Sequence, residues 1–390
     1  MQVYLDNNAT TRTSAEAVAA MLPYFTEHFG NAASSHGFGA AVSPALRAAR
    51  RQVQSLLGAA FEQEIMFCSG GTEANNSAIH AALAAQPGRD EIITSAVEHP
   101  AIMRPLAWAQ KTRGITVRYV PVDAQGRLDM AAYRAALGAR TALVSFMWAN
   151  NETGTIFPVS ELAAMAHAAG ALFHTDAVQA AGKIRLDVKD THIDLLSISA
   201  HKLHGPKGIG ALYIRKGTKF QPLLLGGGQE RGRRAGTENV PAIVGFGAAA
   251  AQVETGAWSR MAMLRDVFES RCRAAIPATR VNGDIASRLP NTSNISFEDA
   301  DGEAILHHLA AAGIAASLGS ACSSGSMEPS HVLLAMGVPL NALHGALRFS
   351  LSRETAAVEI DHLLALLPGI VARVRAQSPL WAERQSLNFA

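Results

Sequence analysis

Short runs of β-favouring residues alternate with longer stretches of helical periodicity along the first two-thirds of the chain. A strand that is followed by a helix can return to its sheet as a parallel neighbour, so this alternation predicts a parallel sheet with helices on its faces. Strands are expected at 64–68, 91–95, 116–120, 141–146, 171–175, 194–199 and 208–214, with helices over 72–85, 101–112 and 159–169 among them. Over 40–57, Val42, Leu46, Val53 and Leu56 fall near helical spacing, which predicts a helix docked on the sheet from before its first strand. Beyond about residue 255 the order changes: helix 259–275, strand 293–297, helix 302–312, a Gly/Ser-rich loop at 319–326, strand 346–351 and helix 356–375. We expect a large domain over 15–255 and a smaller α+β domain over 256–390 that residues 1–14 join.

With 390 residues, 48% of them hydrophobic, there is material for a large core, and a charged fraction of 17% excludes a disordered chain. Lys and Arg number 34 against 32 Asp and Glu, and both signs are spread along the chain. A net charge of +2 without a basic stripe excludes nucleic acid as the main partner. Apolar windows such as 242–253 are too short to span a membrane, and the first residues, Met1-Gln2-Val3-Tyr4-Leu5-Asp6, lack the pattern of a secretory signal. Three cysteines, Cys68, Cys272 and Cys322, form no C-x-x-C and fit neither a disulfide framework nor a zinc site. The expected setting is the cytoplasm.

Three segments carry chemistry. Ser69-Gly70-Gly71-Thr72-Glu73-Ala74-Asn75-Asn76 follows an apolar strand and opens a helix. Its glycines would let helix-start N–H groups converge on a phosphate, with the Thr72 hydroxyl as a further donor; ordinary capping by Ser69 or Thr72 is the alternative. Neither G-x-G-x-x-G after a strand nor G-x-x-x-x-G-K-[ST] occurs, which excludes the usual dinucleotide and nucleoside triphosphate loops. Asp176 closes the strand that ends His174-Thr175-Asp176, where an α/β sheet presents ligand groups; it would pair with a buried cationic nitrogen or cap the next turn. Lys202, in Ser199-Ala200-His201-Lys202, also follows an apolar strand, where desolvation would favour a neutral amine able to form a Schiff base. Phosphate cup, carboxylate and lysine together suit pyridoxal phosphate, which needs a group for its phosphate, an acid for its pyridine nitrogen and an amine for its aldehyde.

From Tyr4-Leu5-Asp6-Asn7-Asn8 to Arg348-Phe349-Ser350-Leu351 the sequence resembles the fold type I, class V pyridoxal-phosphate enzymes, and within them the cysteine desulfurases. The most specific stretches are Ser199-Ala200-His201-Lys202 and Gly319-Ser320-Ala321-Cys322-Ser323-Ser324, the second similar to a mobile cysteine loop. Met147-Trp148-Ala149-Asn150-Asn151-Glu152 and Gly232-Arg233-Arg234-Ala235-Gly236-Thr237 are similar to the nitrogenase-associated (NifS-type) branch. The resemblance implies an α/β fold with a mostly parallel seven-stranded sheet in a large domain, plus a smaller α+β domain.

It also implies roles. Lys202 would bind the aldehyde and move the Cα proton; His99, in Val97-Glu98-His99-Pro100, would stack on the ring and act in proton transfer. Asp176 would hold the pyridine nitrogen and Gln179 the phenolic oxygen. Gly71, Thr72, Ser199 and His201 would bind the phosphate, with Thr237 supplied by the other subunit of a homodimer that shares its active sites. Asn151 would lie beside cofactor and substrate, and Arg348 would clamp the substrate carboxylate; from sequence alone, Arg348 fits a structural ion pair equally well. Cys322 would be the nucleophile, converting L-cysteine to L-alanine through a cofactor ketimine and a Cys322 persulfide. The sulfur would pass to an iron–sulfur scaffold protein that serves nitrogenase, where Cys322 would transiently meet iron. An aminotransferase or selenocysteine lyase on the same cofactor is the alternative, and a non-catalytic sulfur-trafficking scaffold a more distant one.

Overall fold

The computed structural model describes residues 1–319 and 329–388. Its strands are β1 (Val3–Tyr4), β2 (Ile65–Cys68), β3 (Glu91–Ser95), β4 (Thr116–Val120), β5 (Thr141–Met147) and β6 (Leu172–Asp176), then β7 (Leu195–Ser199), β8 (Gly210–Ile214), β9 (Thr279–Asn282), β10 (Thr292–Phe297), β11 (Ile314–Ala315) and β12 (Ala346–Ser350). All seven strands expected in the first two-thirds enter one sheet, in the order β2-β8-β7-β6-β5-β3-β4. Only β8 runs against its neighbours, β7 and β2; the other pairings are parallel. The connection from β7 to β8 holds a single short turn of helix, Ala200–Lys202, too little for the crossover that a parallel return needs. Strands β2, β3, β5, β7 and β8 are buried throughout, because helices cover both faces, and they therefore read as continuous rather than alternating apolar runs.

Helices Gly71–Ala85, Pro100–Arg113 and Val159–Ala168 lie where periodicity places them. Helix Gly37–Leu57 carries the docking stripe Val42, Leu46 and Val53 and packs on helix Val240–Ala251. The latter is apolar on nearly every side and so has no amphipathic period to announce it, only the apolar window noted above.

The C-terminal third builds an antiparallel sheet, β12-β10-β9. The first residues of the chain lie against it: β1 pairs with β11, and Asp6 bridges to Ser350. Val3 and Leu5 are buried with Phe268, Ile295, Phe349 and Leu367 in an apolar cluster separate from the one beneath the large sheet. Among the described residues no helix is long and apolar enough to cross a membrane.

Candidate active site

The carboxyl ends of β3, β5, β6 and β7 share one edge of the large sheet, and the singled-out residues collect there. The turn after β2 comes first. Helix Gly71–Ala85 begins on Gly70, and no side chain caps it. Neither Ser69 nor Thr72 does the capping considered above; instead the Ser69 N–H donates to Glu73 (2.8 Å), whose carboxylate is held by Arg234. The first-turn N–H groups are thus left to a ligand. A Cβ on Gly71 would lie 2.7 Å from Val178 and 3.7 Å from the Cβ of Ser199, so the turn can sit this close to the ends of β6 and β7 only with glycine there.

Gly210 supports the cup from behind, where a Cβ would lie 2.6 Å from the Ile198 carbonyl oxygen and 2.7 Å from the Gly70 Cα. All of the opposing atoms are backbone. Gly210→Ala is therefore expected to cost about 1–3 kcal/mol in denaturant unfolding and to weaken cofactor retention on dialysis.

Asp176 ends β6 with 7% of its surface exposed. Its Oδ1 accepts from the Val178 N–H (3.0 Å), the turn cap that the sequence allowed, and its Oδ2 accepts from Asn75 Nδ2 (2.6 Å). Two hydrogen bonds leave a carboxylate with acceptor capacity for a ring N–H, so the cap and the ligand role coexist. The Oδ1 of Asn75 and the Thr175 hydroxyl are buried without a partner among the described residues.

His99 lies in the loop after β3 and forms the N-cap of helix Pro100–Arg113, its Nδ1 accepting from the Ala101 N–H (3.1 Å). Its backbone is extended, as the following proline requires. Burial lowers the pKa of the imidazole; the Asp176 charge opposes this, while Lys202 and His331 add to it. His201, next to the lysine, is pushed down to about 4, chiefly by burial and then by Lys202, Lys207 and Lys183, so it is neutral at physiological pH.

Lys202 is half-buried, with Nζ donating to the carbonyls of Asn8 (2.5 Å) and Ala9 (2.8 Å). Gln179 Nε2 donates to the same Asn8 carbonyl (2.9 Å). Asn8, 1% exposed, is a hub that sequence reasoning missed: an asparagine 194 residues from Lys202 gives no local signal of contact. Arg348, on β12, is 1% exposed. Its partners are Asp6 (2.8 Å) and the carbonyls of Asn151 and Gly319 (both 2.9 Å), while its Nε–H has none among the described residues. The structural ion pair is thus present, with one buried donor to spare.

Three assignments stand apart. Thr237 is exposed, on a cleft of about 230 Å³ also lined by Ser69, Arg234 and Glu238. Cys322, named both as nucleophile and as transient iron contact, lies outside the described residues. The other cysteines are buried, and burial pushes both Cys68 and Cys272 up to about 12, far from a reactive thiolate. Among the described residues no group of three or more His, Cys, Asp or Glu could hold a metal ion.

The aminotransferase class-V family pattern matches residues 3–363. The chain is 60% identical over 382 residues to a cysteine desulfurase of Gluconacetobacter diazotrophicus, covering 97% of this chain and 96% of that one. It is 61% identical over 376 residues to one of Rhodobacter capsulatus, covering 96% and 97%. The chain belongs to the cysteine desulfurases of the class-V aminotransferase family.

With that membership come fold type I, pyridoxal phosphate as cofactor and cysteine desulfurase activity, all as the sequence led us to expect. Among solved structures, a NifS-like protein superposes with a TM-score of 0.89 at 36% identity over 95% of this chain and all of that one. A structure titled SspA in complex with cysteine gives 0.81 at 31% identity over 91% of this chain and all of that one.

Proposed function

We propose that this cysteine desulfurase takes sulfur from L-cysteine as a persulfide on Cys322, leaves L-alanine, and hands the sulfur to an iron–sulfur scaffold protein, with nitrogenase as the destination. The observation that carries this reading is the convergence of an uncapped glycine helix start, the Asp176 carboxylate and the Lys202 amine at one sheet edge. These residues fit the family's cofactor: the cup left by Gly71 suits its phosphate, and Asp176 keeps acceptor capacity for its ring nitrogen. Pyridoxal phosphate, when bound, supplies the electron sink that makes the substrate's Cα–H acidic.

In this reading the chain's own residues do the rest. Gly71, Thr72, Ser199 and His201 bind the phosphate. Asp176 would hold a proton on the ring nitrogen, Gln179 would donate to the phenolic oxygen, and His99 and Asn151 would help to hold the ring. Lys202 holds the aldehyde and, once displaced, takes and returns the Cα proton. Arg348 offers its spare Nε–H to the substrate carboxylate. The Cys322 thiolate attacks the substrate Sγ; the C–S bond breaks, an S–S bond forms, and the carbon skeleton leaves as alanine. The cysteine bound in the SspA structure supports the choice of substrate.

A homodimer with shared sites is part of the proposal, supported by the exposure of Thr237, which is then free to reach a partner's phosphate. So is the division at about residue 255, supported by an apolar cluster built only from Val3, Leu5 and residues between Phe268 and Val374, although Leu289, Val332, Leu333 and Leu343 bury with the cluster of the large sheet. Incubation with L-cysteine, followed by alanine assay and peptide mass spectrometry, should place one added sulfur on Cys322. Cys322→Ala should lose both the added sulfur and multiple-turnover alanine formation. Sulfur on Cys68 or Cys272 instead, or full turnover by Cys322→Ala with an amino acid and an oxoacid, would overturn the assignment.

A further inference from the structure

Arg234, three residues before Thr237, has no part in the chemistry proposed so far, yet it reaches the glycine turn of its own chain. Its Nε–H donates to Glu73 Oε1 (2.8 Å) and its Nη2 to Glu73 Oε2 (3.2 Å), and the same Oε2 accepts from the Ser69 N–H (2.8 Å). Glu73 stands in the first turn of helix Gly71–Ala85, the turn whose N–H groups form the cup. Both side chains are largely buried, with 11% of the glutamate and 24% of the arginine exposed. Burial by itself would raise the pKa of Glu73. The hydrogen bonds from Arg234 and Ser69 outweigh it and hold the carboxyl below its usual range, so the group is an anion at neutral pH.

An acid in the first turn of a helix ordinarily gains from the positive end of the helix. Here a phosphate needs that same positive end, so two anions draw on one source and repel each other. Arg234 changes the balance. Its guanidinium neutralises the carboxylate and, with the Ser69 N–H, engages both of its oxygens. The arginine is itself held in place. Four residues earlier Glu230, 6% exposed, accepts from both Nη groups of Arg50 (2.8 and 2.7 Å) and from the Phe67 N–H (3.1 Å), and Arg233 donates to the Gln63 carbonyl (2.8 Å). The segment is thus tied along β2, the strand that leads into the cup.

We infer that Arg234 is a positioning residue for the cofactor phosphate: by neutralising Glu73 it lets a helix start that already carries a carboxylate accept a second anion. This rests on the reading that the cup of Gly71 and Thr72 takes the phosphate. The other groups that face Arg234 do not need its charge. Glu230 is paired with Arg50, and burial pushes the Cys68 thiol up to about 12, which leaves it uncharged.

The test compares pyridoxal phosphate with pyridoxal, which lacks the phosphate, as ligands of the full chain stripped of cofactor, read by the absorbance of the bound chromophore. Arg234→Met should raise the dissociation constant for pyridoxal phosphate roughly tenfold. It should leave that for pyridoxal within about twofold of wild type. Glu73→Gln, whose amide oxygen still accepts from the Ser69 N–H, should bind pyridoxal phosphate at least as tightly as wild type. Combining Arg234→Met with Glu73→Gln should restore binding to within about twofold of wild type, because the charge to be neutralised is gone. The inference is overturned if the double variant stays as weak as Arg234→Met, or if pyridoxal weakens by the same factor as pyridoxal phosphate, since either result marks a purely structural ion pair. If Arg234→Met does not fold, Arg234→Gln in the same two backgrounds decides. A wild-type chain that binds the two ligands equally well is a distinct result, which overturns the phosphate cup itself and this inference with it.

Discussion

Replacement of Lys202 by alanine is expected to give a folded, colourless protein with turnover on L-cysteine reduced by about 10⁴-fold or more. The side chain is asked to do two things, to bond the aldehyde and to move the Cα proton. A positioned acid–base group alone contributes about 10²–10⁴-fold, and the covalent anchor adds to that. Folding should survive, because the lysine is only half-buried and the carbonyls of Asn8 and Ala9 that it bonds can be satisfied by water. Absorbance, circular dichroism and alanine assay on one preparation separate these outcomes. A variant that stays yellow, or keeps a tenth of its activity, would remove the amine from the chemistry.

Asp176→Asn should keep the cofactor and the fold but lose about 10²–10⁴-fold in kcat. The charge is the point: an amide cannot hold a proton on a ring nitrogen as a carboxylate does. The substitution puts an NH2 where Asn75 Nδ2 now donates, yet Asn75 can turn its amide, because its buried Oδ1 has no other partner among the described residues. Unfolding free energy should therefore stay within about 1 kcal/mol of wild type, the scale of one net hydrogen bond. If exchange of the substrate Cα proton in deuterated buffer proceeds at the wild-type rate, Asp176 has no electronic role.

The residues that sequence reading picked out share one physical trait. Gly71, Asp176, Ser199 and Lys202 each sit directly after or at the end of an apolar run, where a small, acidic or basic residue is locally out of place. Asn8, Asn75 and Lys183 lack that trait. Asn75 stands one turn inside a helix, Asn8 in an N-terminal turn, and Lys183 after a string of small residues where a lysine ordinarily reaches solvent. For Arg348, sequence alone does not separate a substrate clamp from an ion pair, because its acid, Asp6, lies 342 residues away.

Periodicity and strand composition determined the layered α/β architecture and the order in which the site's elements arrive, because a two-residue or 3.6-residue repeat is written in consecutive residues. Which side chains then meet was decided only by tertiary structure. The joining of Lys202, Gln179 and Lys183 through Asn8 and the meeting of Arg348 with Asp6 depend on long-range packing. Hydrogen bonds between groups so far apart in the chain leave no pattern in the neighbours of either one.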